Sequence, residues 1–187
     1  MLLKVSSKGV LIAISKEIIS DEIIELQTNC ENVLARVNIA NPRKLILGCY
    51  YRQLSATGSS LEELNTQLNR INGNSKASII VGGDFSLGHI DWQISSVIPE
   101  KSDNKQHQIR IDIISDHSLD QIVHKPTKGE IILDLILTNA PNIKNKLEVM
   151  PSTGKADHGI VFTECTISLK RNKKPTRKIH QFNKANW

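Results

Sequence analysis

Three aspartates interrupt or end runs that otherwise have the apolar composition of buried strands. Asp84 follows the run SIIVGG, Asp134 lies inside IILDLIL, and Asp157 stands with His158 at the start of HGIVFTE. Burying an unpaired carboxylate costs on the order of several kcal/mol, so each one needs a cation, a histidine or a set of hydrogen-bond donors. A local cap or turn could satisfy each aspartate separately. Together with the Asp-His pair, the three could instead form one convergent polar site.

A convergent site of this kind has the groups that metal-assisted cleavage of a phosphodiester requires. Carboxylate oxygens are hard ligands of the type that Mg²⁺ prefers, and a carboxylate or a histidine can carry protons to and from water. Spacing in the sequence does not by itself distinguish this chemistry from three separate structural roles. Both interpretations therefore remain open at this point.

The segments that carry these residues predict a sheet-rich domain. Serines that can cap, followed by leucines and an isoleucine at helical spacing, predict a helix over 59–71, and a weaker helical pattern begins at Lys105. Apolar or alternating runs predict strands at 9–15, 33–40, 44–52, 77–85 and 131–139, a short extended piece at 119–123 and a final strand after Asp157. Because strands outnumber helices without regular alternation, the pattern favours an α/β (α+β) sandwich of mixed sheets covered by helices.

Length and charge constrain the partner as well as the fold. At 187 residues the chain suits a single domain. Lysine and arginine number 24 against 19 acidic residues, which modestly favours an anionic partner such as nucleic acid. The excess is concentrated in residues 170–187, which are either a solvated basic linker or a nucleic-acid contact.

The cysteines and the first residues bear on the compartment. Three cysteines at scattered spacings fit reduced thiols in an intracellular protein better than a disulfide framework. The initial stretch MLLKVSSKGVLIAIS has an apolar run that is too short and too interrupted for a spanning helix, and no small-residue cleavage site follows it. We therefore expect neither secretion nor a membrane partner.

Four stretches of the chain, taken in order, resemble a known family. They are YYR at 50–52, GGDFSLGHIDW at 82–92, ILDLILTN at 132–139 and ADHGIVF at 156–162. They are similar to the motifs YRPP, GDFN, LDL with a following TN, and SDH of the endonuclease/exonuclease/phosphatase (DNase I-like) family. The nearest resemblance is to the endonuclease domains that precede the reverse transcriptase in non-LTR (LINE-type) retrotransposons, and it covers nearly the whole chain.

The resemblance implies a fold and a set of roles. The family fold is a four-layer α-β-β-α sandwich of two mixed β-sheets, with the site where loops from both sheets meet. Tyr51 would contact the scissile phosphate or orient its neighbours, and Asp84 would position or deprotonate the attacking water or protonate the leaving oxygen. Asp157 would help to bind Mg²⁺. His158 would stabilise the transition state while Asp134 holds its imidazole in the required tautomer.

The chain also departs from the family motifs. Ser86 occupies the position of the Asn in GDFN, so that a shorter hydroxyl replaces an amide at this candidate catalytic position. Gln53 and Leu54 replace the two prolines of YRPP, and Ala156 replaces the Ser before Asp-His. The resemblance therefore predicts the same site with a less rigid loop and altered hydrogen bonding.

The largest departure concerns the start of the chain. The family carries an Asn and its principal metal-binding Glu on strands that precede the one corresponding to KGVLIAIS, and neither has a counterpart here. We therefore expect residues 1–169 to be an endonuclease/exonuclease/phosphatase-like domain that lacks its first strands, followed by a basic linker or tail at 170–187. With fewer carboxylate ligands, Mg²⁺ would bind weakly or not at all, and catalysis would be impaired.

The resemblance implies a function with one alternative. The first reading is a Mg²⁺-dependent DNA endonuclease domain that nicks target DNA to prime reverse transcription, acts inside the cell in the nucleus and is joined to a C-terminal reverse transcriptase. The alternative is a catalytically inactive remnant of a retroelement that at most binds nucleic acid through its basic tail. Because the Glu and the Asn are absent, the sequence leaves catalysis itself undecided.

Several other polar residues have structural interpretations. We expect Arg52 either at a phosphate or in a solvent-facing salt bridge. His107, His117 and His124 lack the spacing of ligand partners, which places them at the surface or at helix ends.

Overall fold

The computed structural model describes residues 2–7, 9–40, 44–56, 58–74, 77–99 and 103–172, and these ranges contain twelve strands and two α-helices. The strands are β1 (Leu2–Ser7), β2 (Val10–Ser15), β3 (Ser20–Glu22), β4 (Glu31–Asn38), β5 (Lys44–Tyr51), β6 (Ser78–Asp84), β7 (Ile90–Asp91), β8 (Ser96–Val97), β9 (Asp120–Gln121), β10 (Asp134–Thr138), β11 (Lys144–Met150) and β12 (Ile160–Cys165). The helices are α1 (Ser59–Asn74) and α2 (Asn104–Asp116).

Six strands form the main sheet in the order β3-β4-β5-β6-β10-β9. β5 and β6 are parallel and are joined through α1, whereas the other neighbours in this sheet are antiparallel. A parallel pair needs a crossover connection, and a helix supplies it here. β5 and β6 therefore lie in the middle of the sheet with both faces covered, which explains their nearly continuous apolar sequences.

Both α-helices pack on one face of the main sheet. The four apolar residues of α1 predicted from the sequence are each at most 2% exposed: Leu61, Leu64, Leu68 and Ile71. They belong to one core cluster with Ile113 of α2 and alternate residues of the central strands, among them Ile79 and Leu135. Full burial of an aliphatic side chain stabilises the fold by about 1.5–3 kcal/mol, so this stripe anchors α1 to the sheet.

Two antiparallel hairpins cover the opposite face. β1 pairs with β2, and β11 pairs with β12. Strand side chains alternate between faces, so Ile80 and Ile136, which neighbour the helix-facing Ile79 and Leu135, pack towards the hairpins. Strand β1 directly precedes the predicted strand 9–15, and β11 lies in a segment for which the sequence predicted no strand. We call this second surface the hairpin face of the main sheet.

The predicted α/β sandwich is confirmed, because two β-layers face each other and both α-helices of the described residues lie outside the main sheet. Within the described ranges, the second β-layer consists of two-stranded antiparallel hairpins, and no α-helix covers its outer face. The sequence signal missed β11 because its residues KNKLEVM are charged and mostly exposed or half-buried, which gives no clear alternation. None of the helices in the described part of the chain is long and apolar enough to cross a membrane.

Two polar side chains are more buried than the sequence predicted. Arg52 is only 2% exposed, and its guanidinium donates to the carbonyl of Ala56 at 2.6 Å and to the side chain of Gln106. It therefore braces the chain after β5 and lies neither at the surface nor in a salt bridge. His107 lies in the first turn of α2, which agrees with the predicted helix-end position, but it is only 1% exposed and therefore not at the surface.

The ring of His107 is bonded on both sides. Its Nε2 accepts a hydrogen bond from the backbone N–H of His89 at 3.0 Å, and its Nδ1 donates to the carbonyl of Asp103 at 2.8 Å. These bonds require the neutral tautomer with the proton on Nδ1. Burial lowers the pKa of His107, and the charge of Arg110 adds to this effect.

Gly83 gives the first testable prediction, because it lies next to Asp84 with φ +150° and faces Tyr50 across the sheet. A Cβ at this position would lie 1.8 Å from the carbonyl oxygen of Tyr50. We expect Gly83→Ala to lower the free energy of unfolding by about 3 kcal/mol or more, measured by urea denaturation. Gly82→Ala is the matched control, because its Cβ would meet nothing closer than 3.8 Å. Equal stability of the two variants would contradict the strained approach at Gly83.

The buried histidine gives the second prediction. Since the pKa of His107 in the folded protein lies below its ordinary value of 6.5, the unfolded chain binds this proton more readily. Stability is therefore present at higher pH and falls as the pH drops below about 6.5. His107→Gln should make the free energy of unfolding depend less on pH between about pH 7.5 and pH 5 than it does in the wild type. A variant with the pH profile of the wild type would refute the assignment.

Candidate active site

The candidate site lies where β5 and β6 end and β10 begins. Asp84 is paired in register with Tyr51 on one side and with Asp134 on the other. Residues that pair directly across neighbouring strands point to the same face of a sheet. Tyr51, Asp84 and Asp134 therefore all project from the hairpin face at one end of the main sheet.

Asp84 is held by the turn that follows it. Its Oδ1 accepts the backbone N–H of Ser86 at 2.7 Å and the Ser86 hydroxyl at 3.0 Å. Ser86 has φ +48°, a left-handed conformation that most residues avoid and that asparagine tolerates better than serine. The two bonds to Asp84 stabilise this conformation, and they fix Oδ1 of the carboxylate. Oδ2 is the oxygen that these bonds leave to interact with a ligand.

Asp134 contacts His158, the histidine that the family resemblance pairs with it. Oδ2 of Asp134 lies 2.8 Å from Nδ1 of His158, and both side chains are about a quarter exposed or less. His158 lies in the loop 151–159 between β11 and β12, so the contact joins the second layer to this end of the main sheet. One ligand atom from each of Asp84, Asp134 and His158 falls within a group whose members are all within 4.8 Å of one another.

Thr127 joins the two segments that carry this pair, and sequence reasoning missed it. Its Oγ1, on a residue only 3% exposed, accepts the backbone N–H groups of Leu133 and Asp134, each at 3.0 Å. Its carbonyl accepts the N–H of Gly159 at 2.7 Å. One threonine therefore positions both the start of β10 and the residue after His158. Its place in the turn KPTKGE gave no periodic signal.

Asp157 lies outside the group formed by Asp84, Asp134 and His158. Its side chain is 71% exposed, and its Oδ2 lies 2.7 Å from Nζ of Lys128. The hydrogen bond from Lys128 lowers the pKa of Asp157, and the same bond raises the pKa of Lys128. The charges of Asp84 and Asp134 also raise the pKa of Lys128, less than Asp157 does.

Tyr51 continues the row of paired residues towards β4. It is half-buried beside Val10 and Val33, and on its other side it is paired with Glu31. The carboxylate of Glu31 accepts from the side-chain amide of Gln53. A cleft of about 270 Å³ opens beside Tyr51 and is lined in part by Glu31. Glu31 is therefore a fourth acid at this end of the main sheet. The sequence reading did not single out this residue.

The donor set fits a hard divalent cation. Asp84 and Asp134 each offer carboxylate oxygen within the group, and His158 adds a ring nitrogen. Mg²⁺ is commonly bound through one or two carboxylates and several waters, so two converging aspartates meet its minimum requirement. Of the predicted residues, Asp84, Asp134 and His158 thus come together, Ser86 and Tyr51 flank Asp84, and Asp157 forms an ion pair at the rim.

Only the beginning of the predicted basic tail lies among the described residues. The carbonyl of Lys170 accepts the N–H of Ile19, and the N–H of Asn172 donates to the carbonyl of Glu17. These first tail residues are therefore paired with the segment after β2. Residues 173–187 fall outside the described ranges, and the division at 169/170 stays a prediction.

The Thr127 contacts give the third prediction. Thr127→Val keeps the size of the side chain but removes the acceptor of two backbone N–H groups, each worth about 1–3 kcal/mol when left buried and unpaired. We expect Thr127→Val to lower the free energy of unfolding, measured by urea denaturation, by roughly 2–4 kcal/mol. Thr127→Ser keeps the hydroxyl and should therefore retain most of the wild-type stability. Valine and serine variants of equal stability would show that the hydroxyl does not carry these bonds.

One comparison with known proteins gives the family of the chain, and another gives its fold. Residues 45–162 match the model of the endonuclease-reverse transcriptase family, and this range includes Asp84, Asp134 and His158. The endonuclease domain of TRAS1, a telomere-specific non-LTR retrotransposon, has a similar structure, with a TM-score of 0.65 and 14% identity over 91% of this chain and 79% of that one.

A second similar structure is more distant. The catalytic domain of human Nocturnin with bound sulfate gives a TM-score of 0.52 and 17% identity, over 85% of this chain and 63% of that one. No curated protein sequence matches the chain. The family match spans well over half of the 187 residues, and the structural similarity to the TRAS1 domain covers 91% of them. The chain therefore belongs to the endonuclease-reverse transcriptase family and has its DNase I-like fold.

Proposed function

We propose that this chain is a Mg²⁺-dependent DNA endonuclease domain of the non-LTR retrotransposon type, which nicks one strand of target DNA so that the new 3′ hydroxyl primes reverse transcription. The observation that carries the proposal is the convergence of Asp84, Asp134 and His158 within 4.8 Å at one end of the main sheet, in a chain of this family. TRAS1, whose endonuclease domain has a similar structure, is a retrotransposon of this type.

The residues of the chain divide the chemistry among them. Asp84, with one oxygen fixed by Ser86, would position or deprotonate the attacking water, or protonate the leaving oxygen. Because Nδ1 of His158 faces Asp134, Nε2 is the ring nitrogen that would stabilise charge developing on the phosphate. Tyr51, next to Asp84 in register, would contact the phosphate or orient Asp84.

The cation would be held at the same end of the main sheet. Asp84 and Asp134 would provide its carboxylate oxygens, and the family resemblance adds Asp157. When bound, Mg²⁺ supplies positive charge that stabilises the phosphorane-like transition state. Two converging carboxylates are a small ligand set for this ion, so we expect weak binding and slow cleavage.

The proposal includes partners and a location. DNA is the substrate, and a reverse transcriptase domain on the C-terminal side would extend the 3′ end that the nick creates. Because that substrate is chromosomal DNA, the proposed site of action is inside the cell, in the nucleus. No membrane partner is part of this proposal.

A second candidate function is a domain that binds nucleic acid without cleaving it, with the basic residues 170–187 as the contact. Two observations favour it. Asp157, the metal ligand implied by the resemblance, is engaged with Lys128 and not with the other acids. Ser86, which replaces the family Asn, donates hydrogen bonds to Asp84 from its hydroxyl and from its backbone N–H, so its hydroxyl proton is bonded within the protein.

A plasmid-nicking assay distinguishes the two functions and provides the fourth prediction. With Mg²⁺, the purified chain should convert supercoiled plasmid to the open-circular form, and EDTA should prevent it. Asp84→Asn and His158→Gln should each slow nicking by about 10²-fold or more, the usual contribution of a group that transfers protons or stabilises developing charge. The matched controls, Asp120→Asn and His124→Gln, replace exposed residues outside the group and should retain the wild-type rate.

The other outcomes of this assay are also decisive. A chain that binds DNA but leaves the plasmid supercoiled would support the non-catalytic function, particularly if deletion of residues 170–187 abolished binding. Nicking that persists at the wild-type rate in Asp84→Asn, with folding verified by urea denaturation, would contradict the assigned site.

A further inference from the structure

The carboxylates of the candidate site would repel a phosphate substrate. Asp84 and Asp134 place two carboxylates in the group with His158, and Asp157, the residue before His158, adds a third at the rim, whereas the phosphodiester of the proposed substrate is itself an anion. Like charges at these separations repel strongly wherever water is partly excluded. A cation supplied by the chain itself would offset part of this repulsion.

Lys128 is the cation that the structure places there. Among the described lysines and arginines, it alone forms a salt bridge with one of these three acids, and its charge also acts on the other two. Its side chain is 43% exposed, so the ammonium can reach a ligand on the surface without disturbing the core. Arg52, the basic residue directly after β5, is buried and bonded to Ala56 and Gln106.

The backbone that carries Lys128 is fixed relative to the site. The N–H of Ile131 donates to the carbonyl of Lys128 at 3.0 Å, which closes a tight turn in which Gly129 has φ +56°. The preceding residue, Thr127, is bonded both to Asp134 and to Gly159. The position of the lysine is therefore set by the same contacts that bring Asp134 and His158 together.

We propose that Lys128 is a substrate-binding residue that contacts a phosphate of the DNA strand, and that Asp157 holds it in place when DNA is absent. This inference rests on the proposed function, because it takes DNA as the ligand. It changes the interpretation of Asp157, whose partner in this structure is the lysine. On binding, the ammonium exchanges one anionic partner, the exposed carboxylate of Asp157, for another, the phosphate.

The competing explanation is a purely structural ion pair that anchors the loop 151–159. Exposed ion pairs of this kind contribute little to stability, whereas a phosphate contact leaves a specific signature. Each phosphate neutralised by a lysine releases condensed counterions, so the logarithm of DNA affinity falls more steeply with the logarithm of salt concentration. A structural pair has no effect on that slope.

The experiment measures binding separately from cleavage and is the fifth prediction. A fluorescently labelled duplex oligonucleotide is titrated with the full chain in EDTA at several salt concentrations. Lys128→Gln should weaken binding several-fold at low salt and reduce the salt slope by about 0.9, the value for one duplex phosphate contact. Lys128→Arg should keep the slope of the wild type.

Lys146→Gln is the matched control. Lys146 is also ion-paired, with Glu148 at 3.0 Å, and is 50% exposed, so the variant loses the same charge from a similar setting. It lies near the start of β11, away from the loop that carries His158. Its salt slope should equal that of the wild type. Urea denaturation of each variant verifies that folding is retained.

The outcomes separate this inference from the proposed function. If Lys128→Gln and Lys146→Gln show the wild-type slope while the wild type binds and nicks DNA, the role of Lys128 is refuted and the nuclease stands. A loss of stability in Lys128→Gln without a change in slope would likewise assign the lysine a structural role only. If the wild type fails to bind DNA at any salt concentration, both proposals are refuted.

Discussion

The candidate site depends on one pairing, the antiparallel register of β6 with β10 that sets Asp84 opposite Asp134. Side chains alternate along a strand, so a slip of one residue would move either carboxylate to the helix face, among buried leucines and isoleucines. The same apolar residues prevent that slip, because Ile79 and Leu135 must face the helices while Ile80 and Ile136 face the hairpins. Packing of the core thus fixes the position of the acids.

Two paired carboxylates at the end of the main sheet would destabilise the fold if no hydrogen-bond donors compensated their charge. The chain supplies donors for each one: the Ser86 turn bonds to Asp84, and His158 lies against Asp134. The Thr127 hydroxyl and carbonyl then connect the loop that carries His158 with the start of β10. A hydrogen-bonded site of this kind can be rigid before any ligand arrives, which is the condition for electrostatic stabilisation of a transition state.

The rim of the site differs from its centre. Asp84, Asp134 and His158 are partly buried, and their positions follow from strand register and from one tight loop. Asp157 and Lys128 are exposed and can change partners at little cost, because water screens the pair. A partly buried centre that can orient reacting groups and an exposed charged rim are consistent with the proposed DNA substrate.

The sequence by itself determined the classes of elements and most of the chemistry-bearing residues. The stripe from Leu61 to Ile71 predicted α1, and the apolar runs before Asp84 and around Asp134 predicted β6 and β10, because burial imposes a local period on the sequence. The order of four motifs indicated the family, which the match over residues 45–162 confirms. The half-exposed strand β11 escaped this reading because its charged residues follow no such period.

Only the tertiary structure decided which of these residues meet. Thr127 bonds to Asp134 and Gly159, and Lys128 forms an ion pair with Asp157. The local sequence does not predict these partners, because they are set by loop closure between distant segments. The burial of Arg52 and His107 was not predicted for the same reason: a polar side chain is buried when the folded chain happens to offer it partners, and local sequence does not encode those partners.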